Sequence, residues 1–505
     1  MSVSVSLQAM NGLSVHAFCS MMEIFAKYLF HRSVYVKALQ VQLLLVLCSF
    51  FLVRVRLSTH SLSLSMGRYL DALHSSVQKS TNHKMTDKVP SIASKNTSSA
   101  DKALYLQLMR EKASNCLQEL QDTTAREIQS KTPDGSTDAT NGNAATTEIH
   151  ETQEFQRQFF NEYGFLVLRK FADMETMVQP MKEQMKQWVD TLWDVKFEDD
   201  DDEGKAGTSS GTNSNVAVFR TDEGQTKAQG SNAYFLESAT KIHFFAEKEA
   251  MSGTNGRLKR EFRANKTGAL NKTGHAMHLP SADSNVFHRY SSSEGIRALV
   301  MDTLGYVDPV IPQSMYIFKQ PFVGSEVTSH QDSTFLFTTP EQTCLGLWLA
   351  LDEVTVENGC LWVRPGSQTE AVRRRFVRNP EYFGDTFRGV EGDKTKSLMI
   401  FEMLADEHEL KGTSTWEGSL PEGSLSLPCD GLFDAGFIPV ECKAGDLVTI
   451  SGQLDHLSLP NHSSMQRHTF QLHLVERPDA GITWAASNWL QYPNGTPFLS
   501  IKGQR

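Results

Sequence analysis

SMYIFKQPFVGSEVTSHQD, residues 314–332, reads as a short apolar strand, a Pro/Gly-punctuated connection and an extended run ending on a His-x-Asp. The same texture recurs downstream in Cys344–Leu351, Cys360–Val363, Asp446–Ser451 and His468–Val475, which are apolar or alternating runs bounded by Gly, Pro, Asn and Asp. Closely spaced strands with no helical pattern between them predict a mainly β fold of the sandwich or jelly-roll type. Helices flank it upstream. Phe155, Phe159, Phe160 and Tyr163 sit at helical spacing with Gly164 placed to end the helix, and Phe165–Leu168 follows as a strand. After Asp173, a candidate N-cap, Met174, Met177, Met181, Met185, Trp188 and Leu192 form an apolar helical stripe, which Pro180 should kink or delay.

On a strand, residues i and i+2 face one side, so His330 and Asp332 can reach a single ion. Two imidazoles and one carboxylate on one face of an octahedron bind Fe(II) in oxygenases and leave positions open for substrates. The second imidazole must come from elsewhere. His456, after the strand Leu447–Ile450 and a break at Gly452, is the candidate. An HxD pair alone is a weak signal; Arg467 adds weight. It lies eleven residues beyond His456 and opens an alternating face of Arg467, Thr469, Gln471 and His473. A guanidinium in a dry barrel can hold a carboxylate through two parallel hydrogen bonds.

The chain as a whole narrows the function. Its net charge of −10 argues against a nucleic-acid binder, and 40% hydrophobic residues suffice for a sizeable core. Seven cysteines without CxxC spacing make a poor disulfide or zinc framework. The acidic run Glu198–Glu203 reads as a solvated loop. Residues 1–65 are basic, Ser-rich and partly apolar, but Leu39–Val53 is shorter than the ~20 residues a spanning helix needs. A signal anchor, a transit peptide and an over-extended start upstream of Met66 all remain open. The expected location is therefore cytoplasmic, or mitochondrial or membrane-anchored if residues 1–65 act. Residues 66–147 read as a mostly disordered linker carrying one helix over Ala100–Ser130, and 148–505 as the catalytic domain, with an insertion at about 392–434.

Ser314–Pro321, His330-Gln-Asp332, Glu357–Trp362 and Pro365-Gly-Ser367 together resemble the phytanoyl-CoA dioxygenase family. Tyr234–Leu236, Lys241–Phe245, Gly274–Ala276 and Asn488–Gln491 agree with it, over roughly residues 150–495. The resemblance implies a double-stranded β-helix, a cupin-like jelly-roll core, with helices outside. It implies iron at His330, Asp332 and His456, and 2-oxoglutarate lined by Lys241, Met315, Trp348, Ser458 and Arg467. The family's Pro-Gly-Ser-His turn carries Gln368 here, which puts local hydrogen bonding in question.

The expected reaction couples oxidative decarboxylation of 2-oxoglutarate, using Fe(II) and O₂ with ascorbate in support, to hydroxylation of a small-molecule or acyl-type substrate. Asp332 occupies the position a halogenase would vacate. A divalent-metal hydrolase and a non-catalytic 2-oxoglutarate-binding regulator are the rival readings.

Overall fold

The computed structural model describes residues 99–131, 152–200, 216–219, 232–253, 256–281, 285–385, 390–404 and 429–502. The expectations for residues 1–65, for the remainder of the linker and for residues 405–428 of the insertion lie outside them.

Helix α1 (Ser99–Lys131) lies where one helix was expected in the linker, Ala100–Ser130, and it is packed against the domain that follows. Its Tyr105, Leu106, Met109 and Ala125 are buried in the main core, and Arg110 pairs with Glu357 at 2.8 Å and Glu441 at 2.9 Å. The few apolar positions of α1 stand among many polar ones, so composition alone hides the docked face. Burying each large apolar side chain is worth roughly 1.5–3 kcal/mol. A chain starting at residue 132 should therefore melt several degrees below one starting at residue 99, by calorimetry; equal midpoints would show that α1 adds nothing.

Helix α2 (Gln153–Tyr163) starts where Thr152 Oγ1 accepts the Phe155 amide at 3.1 Å. It ends at Gly164, whose φ of 78° is the left-handed conformation glycine adopts freely. Gln368 Nε2 caps that end, donating to Asn161 O (3.0 Å) and Glu162 O (2.9 Å), which answers the question raised by the altered Pro-Gly-Ser turn. Asp173 caps a wide π turn, Met174–Val178, before α3 (Gln179–Leu192). Pro180 falls in the first turn of α3, just after this wide turn, so the helical run continues through it with a change of pitch there. Met181, Met185 and Val189 enter the core.

The strands are β1 (Phe165–Leu168), β2 (Ile242–Ala246), β3 (Leu270–His275) and, after α4 (Val286–Ser291), β4 (Pro309–Lys319) and β5 (Val327–His330). Then come β6 (Leu345–Ala350), β7 (Leu361–Val363), β8 (Arg374–Arg378), β9 (Met399–Met403) and β10 (Ile438–Val440). β11 (Leu447–Ser451), β12 (His456–Ser458) and β13 (Arg467–Glu476) follow, before two short two-residue strands, Thr483–Trp484 and Leu499–Ser500. The large antiparallel sheet runs β1-β11-β6-β13-β4-β3-β2, and the smaller one β10-β7-β12-β5. This is the jelly-roll expected, with helices outside. Phe470 on the outward face of β13 packs on Phe287 of α4 at 4.9 Å, and Phe287 on Trp188 of α3 at 5.3 Å. Part of the expected insertion is a ribbon: β9 pairs with β8, Phe401 opposite Phe376.

The acidic run is not wholly solvated. Asp199 and Asp200 each lie 2.6 Å from the Arg263 guanidinium, and Glu198 accepts the Arg260 backbone amide. No helix among the described residues is long and apolar enough to cross a membrane.

Candidate active site

Antiparallel pairing of β5 and β12 sets His330 opposite His456. Each ring is turned by its own strand: His330 Nδ1 bonds Thr328 O at 2.8 Å, and His456 Nδ1 bonds Leu454 O at 2.9 Å. Both Nε2 atoms are thereby presented to the space between the sheets. The strand ends at His330, but Gln331 is still extended (φ −113°, ψ 129°), so alternation carries Asp332 to the same side as the first residue of a 3₁₀ turn. Asp332 Oδ1 lies 3.5 Å from His330 Nε2 and 3.8 Å from His456 Nε2. Adjacent ligands on an ion with ~2.1 Å bonds would be ~3 Å apart, so a small closure of these side chains is enough to hold a divalent ion. Among the described residues this is the one such His/Asp group, its ligand atoms within 4.8 Å of one another.

The charge states suit a metal. Burial pushes the Asp332 carboxyl up, but the neighbouring His473, His456 and His330 rings outweigh it and hold Asp332 well below the usual range. Burial lowers His456 to about 4, leaving a neutral imidazole with a free lone pair at neutral pH. His473 is a residue whose role sequence reasoning missed. Its Nε2–H donates to Asp332 Oδ2 at 3.1 Å while Nδ1 accepts from Gln313 Nε2 at 3.2 Å, which fixes the tautomer and aims the carboxylate. The alternation of β13 had already placed His473 on the inner face. Gly346 leaves room for this pair, since a Cβ there would sit 3.2 Å from Asp332 Oδ2.

The cavity extends along the large sheet, lined by Met315, Trp348, Ser458 and Arg467 together with the three candidate ligands. Arg467 is 2% exposed. One of its terminal nitrogens donates to Gly359 O (2.9 Å) and Ser458 Oγ (3.0 Å), and its carbon lies 5.3 Å from the centre of the Trp348 ring. Its Nε has no partner, and no acidic side chain pairs with it among the described residues. Burial lowers it to about 10, which still leaves it cationic.

Lys241 is not brought into this cavity. Its side chain is 59% exposed and pairs with Glu237 on the surface. The reason lies in the sheet edge: Lys241 precedes the outermost strand β2, whereas Lys272 on β3 stands opposite Ile317 of β4 and faces inward. Lys272 is 3% exposed, and its Nζ lies 3.0 Å from His275 Nε2, 3.7 Å from Met315 Sδ and 3.6 Å over the Phe219 ring. Burial alone holds its pKa well below the ordinary lysine value. Lys319 is a second buried lysine beside the cavity, but its Nζ donates to Ser458 O and Leu459 O.

Fold and site together define a non-haem iron, 2-oxoglutarate-dependent oxygenase. The profile of phytanoyl-CoA dioxygenase (PhyH) matches residues 160–469. The chain belongs to the phytanoyl-CoA dioxygenase family. It is 38% identical over 281 residues to mouse phytanoyl-CoA dioxygenase domain-containing protein 1, covering 55% of this chain and 80% of that one. It is 34% identical over 336 residues to phytanoyl-CoA dioxygenase of Arabidopsis thaliana, covering 66% and 92%. A solved structure of the epimerase SnoN with Fe3+, alpha ketoglutarate and nogalamycin RO aligns at a TM-score of 0.38 and 12% identity, over 68% of this chain and 91% of that one.

Proposed function

We propose that the protein binds Fe(II) through His330, Asp332 and His456 and 2-oxoglutarate against Arg467, and hydroxylates a C–H bond of a small-molecule or acyl-type substrate. The observation that carries this reading is Arg467, a buried guanidinium with one unpartnered nitrogen and, among the described residues, no acidic partner, on the same cavity as a His/Asp/His group. A buried cation is costly unless an anion meets it. When bound, the iron supplies activation of O₂ coupled to decarboxylation of 2-oxoglutarate to succinate and CO₂.

The chain's residues supply the rest. Arg467 and the Ser458 hydroxyl anchor the distal carboxylate, with Trp348 beneath the guanidinium to exclude water. His473 keeps the Asp332 carboxylate turned toward the ion. Phe219, Phe235, Phe335, Leu336 and Trp489 give the rest of the cavity an apolar wall suited to a hydrocarbon part of the substrate. A hydrolase would leave Arg467 and Lys272 without a task.

Lys272 takes the place proposed for Lys241, as a second positive charge for the bound diacid. Burial disfavours its charged form, so an anion arriving beside it draws a proton and raises its pKa. Binding of 2-oxoglutarate should therefore take up protons and weaken as pH rises through the bound-state pKa. Calorimetry in buffers of different ionisation enthalpy reads this directly. The uptake should vanish in Lys272→Met, whereas Lys241→Ala should leave the half-saturating 2-oxoglutarate concentration unchanged. A large effect of Lys241→Ala would reverse the two assignments.

The direct test is anaerobic reconstitution with Fe(II) and 2-oxoglutarate, followed by O₂. A weak visible charge-transfer band and then succinate release, stimulated by particular metabolites, support the reading. Tight zinc with ester hydrolysis would replace it with a hydrolase. Ligand binding without succinate would leave a regulator.

A further inference from the structure

Because strand neighbours alternate, Ser329, Gln331 and Asp455 point away from the ion, and Gln331 and Asp455 both meet one segment, residues 364–373. Asp455, next to His456, has a fully buried carboxylate. It accepts the hydroxyl of Ser329, next to His330, and lies 3.1 Å from the Arg364 guanidinium and 3.2 Å from that of Arg373. Its backbone is held as well: the Asp455 amide donates to Ser367 Oγ at 2.9 Å, and the Arg364 amide to Asp455 O at 3.0 Å. Gln331, between His330 and Asp332, is 1% exposed. Its Nε2 donates to Ala371 O (3.2 Å) and Gln453 O (3.0 Å), and its Oε1 accepts the Arg373 amide (3.1 Å).

The backbone ladder alone holds these ligands weakly. β5 is four residues long, lies at the edge of its sheet and has a single neighbour, β12, itself three residues long. Their register is irregular between His456 and Ser458. The Ser329–Asp455 bond crosses from one ligand strand to the other, and Gln331 fastens the edge strand to a segment outside the sheet.

We propose that Ser329, Gln331 and Asp455 are positioning residues that hold the metal centre from behind, with segment 364–373 as their common support. The proposal rests on His330, Asp332 and His456 being the metal ligands. Ligand-orienting partners of this kind typically contribute about ten- to a hundredfold in metal affinity.

The test is anaerobic Co(II) titration of the full-length protein by calorimetry, with the visible Co(II) spectrum recorded at saturation. Ser329→Ala and Asp455→Asn should each weaken Co(II) about ten- to a hundredfold and change the band shape. Ser329→Thr, which keeps the hydroxyl, should restore both. Glu402→Gln breaks the Arg375 ion pair on the β8–β9 ribbon, outside segment 364–373, and should leave affinity and spectrum unchanged. Because Asp455→Asn also disturbs a buried ion cluster on which folding draws, Ser329→Ala carries the decision. Wild-type affinity and spectrum in Ser329→Ala, or an equal loss in Glu402→Gln, overturns the proposal while leaving the ligand assignment standing. A wild-type protein that binds no Co(II) overturns both.

Discussion

Arg467→Met is expected to raise the half-saturating 2-oxoglutarate concentration by roughly thirtyfold to several thousandfold while leaving iron affinity nearly intact. Arg467 touches none of the three candidate ligands; its partners are Gly359 O and Ser458 Oγ, and it lies over Trp348. Removing one partner of a buried, charge-assisted pair typically costs about 2–5 kcal/mol, and ~1.4 kcal/mol is a factor of ten. Arg467→Lys should recover only part of the loss, since an ammonium cannot match a carboxylate with two parallel bonds. Titration of 2-oxoglutarate against succinate release, beside an iron-binding isotherm, separates the two effects. An unchanged half-saturation in Arg467→Met would make the arginine a packing element of β13 and place the carboxylate elsewhere.

Asp332→Ala is expected to abolish stoichiometric iron binding and to take turnover below detection. Asp332 is the one anion of the set, and with it goes the charge that balances a dication between two neutral imidazoles. His473 Nε2 also loses its acceptor in a buried site, which adds to the damage. His330→Ala and His456→Ala should lose most iron as well, because two ligands seldom retain it. Metal content after anaerobic reconstitution and desalting measures this. Full occupancy in any of the three would mean that residue is not a ligand.

What could be read in the sequence was what local periodicity governs. β13 alternates Arg467, Thr469, Gln471 and His473 against His468, Phe470, Leu472 and Leu474, so its two faces were visible before any fold was known. The same holds for α2, whose aromatic spacing and Gly164 terminus are short-range signals. Long-range contacts were hidden. Whether Lys241 or Lys272 faces inward depends on which edge strand lies nearer the sheet centre, and no spacing within either segment encodes that. The docking of α1 buries Tyr105, Leu106 and Met109 and brings Arg110 to carboxylates 247 and 331 residues away, contacts no local spacing encodes. The tie from His473 to Asp332 spans 141 residues, and only the pairing of the strands brings the two together.

Two of the bonds described cross from one side of the cavity to the other: Arg467 to Ser458 at one place, His473 to Asp332 at another. In the proposed reading, one end of the bound diacid is held by the ion and the other by the guanidinium, and these two cross-bonds fix the span between the ends. The pocket therefore works as a gauge of chain length. A keto-diacid one carbon shorter would reach the ion or the arginine but not both, and one a carbon longer would have to buckle against Trp348, so selectivity among metabolic keto acids is set by a separation and not by recognition of any single group.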